Sequence, residues 1–106
     1  MGDIGIGDKV ILVSPYTSES IYYVGNKFEV LLKNGMEGFP SNMQCQYMLI
    51  SEDGTTLGVN DENVVKVNND EEIIKYCSKI INIYSTYMNN FSRLLSETVN
   101  KEEDSK

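Results

Sequence analysis

From Ile73 onward the apolar positions fall at intervals of 4-3-4-3-4-3-4: Ile73, Cys77, Ile80, Tyr84, Tyr87, Phe91, Leu94 and Thr98. A second row, Ile74, Ile81, Met88 and Leu95, repeats every seven residues, one position further on. This is the period of an amphipathic α-helix, and two adjacent rows make its stripe wider than a two-position seam, so more than one neighbour is expected against it. Asn69 or Asp70 can cap the start, and Glu71 and Glu72 lie in the first turn, where the helix dipole favours anions. Asn89-Asn90 is the one weak point, but the rows keep phase across it. A single helix over 69–100 is therefore expected, with a polar, frayed tail over 101–106. Roughly 28 helical residues would span about 42 Å. That exceeds the about 25–30 Å of a small β-domain, so the helix should overhang it and leave an apolar end for a partner.

Ahead of the helix the pattern shortens to β-type runs separated by turn residues. Lys9 to Val13, Ile21 to Val24, Phe28 to Leu32, Gln44 to Ile50, Thr55 to Leu57 and Asn63 to Val67 read as strands. Asn34-Gly35 opens a turn that runs on through Gly38 to Asn42, and Asp53-Gly54 is a hairpin signal. Five or six short strands with turns every eight to twelve residues predict a small antiparallel barrel over 1–68. The expected class is thus α+β, a small barrel followed by one long C-terminal amphipathic helix.

Composition narrows the partners more than the fold. The net charge is −7. Residues 1–68 carry four Lys against nine acids, and residues 69–106 carry five basic against seven acidic groups. Neither half offers the basic stripe that nucleic acid or an anionic membrane requires, so direct binding to either is not expected. No apolar run approaches a membrane span. Cys45 and Cys77 are far apart, with no signal peptide before them, which predicts buried free thiols and a cytoplasmic protein. The absence of Ala, with a single Arg and abundant Asn, Ile, Ser and Tyr, points to an AT-rich coding genome, such as a low-GC bacterium, its phage or its plasmid.

Three short patterns in the β-region resemble small SH3-like barrels of ribosome- and transcription-associated modules and of phage accessory proteins. They are Gly7-Asp8-Lys9-Val10, then Val24-Gly25 followed by Phe28-Glu29-Val30, and Glu62-Asn63-Val64-Val65-Lys66-Val67, together covering about 60 residues. The resemblance implies an SH3-like barrel whose inter-strand loops form the binding face. Here those loops run from Tyr16 to Tyr23 and from Met36 to Met43, which makes Tyr16, Tyr22, Phe39 and Pro40 the partner-binding candidates. Nucleic-acid-binding members are basic, and this chain departs from them. In plan alone, a β-region followed by assembling helices, the chain is also similar to phage anti-defence proteins that sequester cyclic ADP-ribose-type signals.

Catalysis is not expected. The chain has no His, the commonest general base, and neither Cys has neighbours that would lower its pKa. Asp61-Glu62 lacks the alternating ligands of a calcium loop, and Gly5-Ile6-Gly7 lacks the Lys-Ser/Thr of a phosphate loop, so neither metal nor cofactor is expected. The heptad row Ile73, Cys77, Ile80, Tyr84, Tyr87, Phe91 and Leu94 is the expected interface of a homodimer or higher oligomer. Arg93, with Asn89 and Asn90, is a candidate phosphate clamp beside which Tyr87 or Phe91 would stack a base. The leading expectation is a non-catalytic acidic interaction protein, phage- or plasmid-encoded, that inhibits a host protein by occupying its surface. The alternatives are an oligomeric binder that sequesters a nucleotide signal, and a small structural subunit.

Overall fold

The computed structural model describes residues 4–104, with side chains through Lys101. The chain divides into two compact units, Met1–Asn68 and Asn69–Lys106. This is the boundary expected from the change of period.

The first unit is a five-stranded antiparallel sheet of β1 (Lys9–Leu12), β2 (Lys27–Lys33), β3 (Tyr47–Ile50), β4 (Thr56–Val59) and β5 (Val64–Lys66), in the order β4-β3-β2-β1-β5. Alternation sets its inner face. Val10 lies opposite Phe28, Leu12 opposite Val64, Val30 opposite Leu49, and Tyr47 opposite Val59. All eight are buried and, with Ile4, form one core. Leu31 is the extra residue of a bulge where the β2–β3 register shifts between Val30 and Leu32, and it stays exposed. Gly58 has no room for a side chain: a Cβ there would sit 2.7 Å from Cys45 Sγ and 2.8 Å from Met43 Cε.

Three expectations are corrected here. Among the described residues β4 and β5 are the two sheet edges and do not pair, so the ladder does not close into a barrel. The segment Ile21 to Val24 is not a strand, because Glu19–Tyr23 forms a 3-10 turn. The amide of Thr17 donates to Ser20 Oγ at 3.0 Å, and that hydroxyl donates back to the Thr17 carbonyl at 2.8 Å, so a local turn outcompetes β-propensity. Gln44 to Gln46 lie outside β3, where the Gln46 amide donates to Asn60 Oδ1 at 3.0 Å and to the Val59 carbonyl at 3.1 Å. The Asp53-Gly54 turn forms as expected, with Gly54 at φ 89° between β3 and β4.

The second unit is one uninterrupted helix, α1 (Asp70–Asp104), of 35 residues, about 52 Å long. It passes through Asn89-Asn90 without a break. Residues 101–104 of the expected polar tail are helical too, since no Gly or Pro stops them; 105–106 lie outside the described residues. Asn69 is the N-cap: its Oδ1 accepts the Glu72 amide at 2.9 Å. Asn69→Ala is expected to cost about 1 kcal/mol of helix stability, read as a lower midpoint in thermal unfolding followed by far-ultraviolet circular dichroism. An unchanged midpoint would mean that another group satisfies that amide. No helix is long and apolar enough to cross a membrane among the described residues.

Candidate functional site

On α1 each residue advances about 100° around the axis, so the described side chains can be placed by angle. The two apolar rows, together with Tyr76, Ile83 and Val99, fill one half of the circumference from Ile73 to Val99. No charged side chain enters that half; Lys75, Lys79, Arg93 and Glu97 all lie on the other. Ile73, Tyr76, Cys77, Ile80 and Ile83 are half-buried, whereas every residue from Tyr84 to Lys101 is exposed. The outer part of the expected interface, Tyr84, Tyr87, Phe91 and Leu94, is therefore presented to solvent, with Phe91 67% exposed.

Two contacts lie within this face. Tyr84 and Tyr87 meet edge to face, ring centroids 6.0 Å apart at 88°, which fixes both rings against one another. Thr98, at the end of the row, donates its hydroxyl to the Leu94 carbonyl at 2.8 Å, so its polar group is already satisfied within the helix. Cys45 is a buried free thiol as expected, while Cys77 is free but only half-buried. Desolvation raises the Tyr76 phenol above its ordinary value, with Tyr84 and Cys77 adding to the effect.

The second candidate group is only partly brought together. Asn89 and Arg93 are one turn apart on the polar half, with Asn90 beside them. Tyr87 is six residues from Arg93, about 120° around the axis on the apolar half, and cannot stack against the same ligand within one helix.

On the sheet unit, the loop candidates separate. Tyr16 and Tyr22 belong to the β1–β2 connection, and Phe39 and Pro40 to the β2–β3 connection, at opposite ends of β2. Tyr22 is 85% exposed, next to exposed Ile21, while Phe39 and Pro40 are half-buried. The four do not make one patch.

A cleft of about 470 Å³ that the sequence reading did not anticipate lies where the 3-10 turn and the start of β2 meet the β3–β4 hairpin. Tyr23, Asn26, Lys27 and Phe28 line one side; Ser51, Glu52, Asp53 and Thr55 line the other. Its polar floor is largely engaged with itself. The Ser51 hydroxyl donates to Asp53, and the Thr55 amide donates to Asp53 Oδ1 at 3.0 Å. These bonds, the Ser51 hydroxyl first, hold the Asp53 carboxyl at about 2 against an ordinary 3.8. Because the folded value is the lower one, the stabilisation is fully present above the ordinary value and is lost as the pH falls through about 2. Asp53→Asn should flatten the acid limb of the stability profile in that window, read as thermal midpoints of variant and wild type on stepwise acidification. Parallel profiles would overturn the assignment.

Comparison of the chain with known protein families, curated proteins and solved structures finds no match.

Proposed function

We propose that this chain is a non-catalytic, self-associating interaction protein, in which α1 joins copies of the chain and the sheet unit meets a host protein that it inhibits. The observation that carries self-association is the exposure of the outer helix. Between Tyr84 and Val99 seven large apolar side chains (Tyr84, Tyr87, Met88, Phe91, Leu94, Leu95 and Val99) are all exposed. Burying one such side chain gains about 1.5–3 kcal/mol, and contiguous apolar surface of this kind marks an interaction site.

A second copy suits this face better than a charged partner. Between Ile73 and Val99 every charged side chain of the helix, Lys75, Lys79, Arg93 and Glu97, lies on the half opposite the apolar face. Copies can therefore meet across the apolar half without bringing a charged side chain into the contact. The exposed Tyr16, Ile21, Tyr22 and Val24 of the β1–β2 connection are the surface offered to the host protein. A phage or plasmid origin is supported by the Ala-free, Asn- and Ile-rich composition, and a reducing compartment such as the cytoplasm by the two free thiols.

The SH3-like reading of the sheet unit belongs to the same proposal. The last strand pairs beside the first, after a 3-10 turn at Asp61–Asn63 that is tied both to β3 and to the residues after β1. Asp61 accepts the Tyr47 hydroxyl at the start of β3, and Asn63 Nδ2 donates to Ser14 Oγ at 3.2 Å beyond the end of β1.

Light scattering on the full chain at tens of micromolar tests the assembly. More than one 12.0 kDa chain per particle is expected, and a strict monomer would refute self-association.

A further inference from the structure

We infer that α1 assembles the chain into a four-helix bundle, a tetramer in which every helix contacts two others; this rests on the self-association proposed above. The first support is the second apolar row. Ile74, Ile81, Met88 and Leu95 are 65%, 64%, 63% and 65% exposed, so this ridge is bare along its whole length, including the stretch where Ile73, Cys77 and Ile80 are half-buried. A two-stranded coil needs only a narrow seam, and a helix with a third apolar position per heptad is that of a bundle.

Angle and area agree. The centre of the heptad row and the centre of the second row lie about 80° apart around the helix axis. Neighbours in a ring of helices subtend about 60° for three and about 90° for four, and four-helix bundles close around such faces. With an aromatic or large aliphatic side chain carrying about 150–250 Å², the half-exposed Tyr84, Tyr87, Phe91 and Leu94 offer only about 400–500 Å². A stable interface takes about 800 Å² from each side, and one copy gives up that much in total only when both rows are buried, each against its own neighbour. Both rows must find neighbours, and the apolar half, free of charge from Ile73 to Val99, admits further copies of the same helix on each side.

Sedimentation equilibrium on the full chain, with circular dichroism to verify the helix, decides it. The wild type is expected at four times the 12.0 kDa chain mass. Ile81→Glu combined with Leu95→Glu, which leaves the heptad row intact, is expected to halve that mass while the helix signal persists. A wild-type dimer or trimer would overturn the bundle and leave self-association standing. A wild-type monomer would overturn both. A double variant that stays at four chains would remove the second row from the interface and overturn the bundle as drawn.

Discussion

Tyr84→Glu is expected to weaken the assembly of this chain at least about a thousandfold, leaving monomer at tens of micromolar in sedimentation velocity. Tyr84 lies at the start of the fully exposed section, edge to face with Tyr87, in the middle of an apolar half that contains no charge. A carboxylate there gives up burial of the ring against other copies, worth about 1.5–3 kcal/mol. It must also be desolvated without a partner in every copy, which costs several kcal/mol more. Since about 1.4 kcal/mol is tenfold in affinity, the sum gives the stated loss. Lys75→Glu on the polar half serves as the control and should leave the mass unchanged. An undiminished assembly in Tyr84→Glu would exclude the heptad row as the interface.

The other large effect belongs to the sheet unit. Leu49→Ala is expected to destabilise it by about 2–5 kcal/mol, because Leu49 is fully buried between Val30 on β2 and Leu57 on β4 and its removal leaves a cavity. A domain of this size holds only about 5–15 kcal/mol in total, so the variant should lose a large part of its denaturant midpoint. Leu31→Ala, at the exposed bulge of the neighbouring strand, should change the midpoint little. Similar losses at the two positions would contradict the assignment of the inner face.

What the sequence made legible follows from how long each periodic signal is. The helix was readable because eight heptad positions and the parallel second row agree over 26 residues, from Ile73 to Thr98, enough to carry the phase through Asn89-Asn90. The Asp53-Gly54 hairpin was readable from one dipeptide, since a residue with positive φ is required there and Gly54 supplies it. Ile21 to Val24 misled because its composition is β-like, while the deciding interaction is the Thr17–Ser20 side-chain turn just upstream. Closure of the sheet was not legible at all. Turn spacing counts strands but says nothing of whether the outermost two meet, and β4 and β5 do not. The paired Leu31-Leu32, which breaks the alternation after Val30, was the available signal for the bulge. Gly58 inside a strand was the signal for the close approach of Cys45 and Met43.

The candidate site divided along the same line. The face holding Tyr84, Tyr87, Phe91 and Leu94 is a property of one helix and could be read from spacing. The grouping of Tyr87 with Arg93, Asn89 and Asn90 rested on closeness in sequence, and helical geometry puts the ring and the guanidinium about 120° apart. The cleft beside Lys27 and Asp53 joins residues about 25 positions apart, and no local pattern announces it.

Hydrogen exchange on residues 84–99 is the most direct measurement of whether this chain works by self-association. An isolated helix end whose side chains are all exposed has little to hold it, so its amides open readily. Buried against other copies, those amides are expected to be strongly protected, and the protection should rise with protein concentration as mass action requires. Rapid exchange over 84–99 at every concentration, with the sheet unit protected, would contradict assembly through α1.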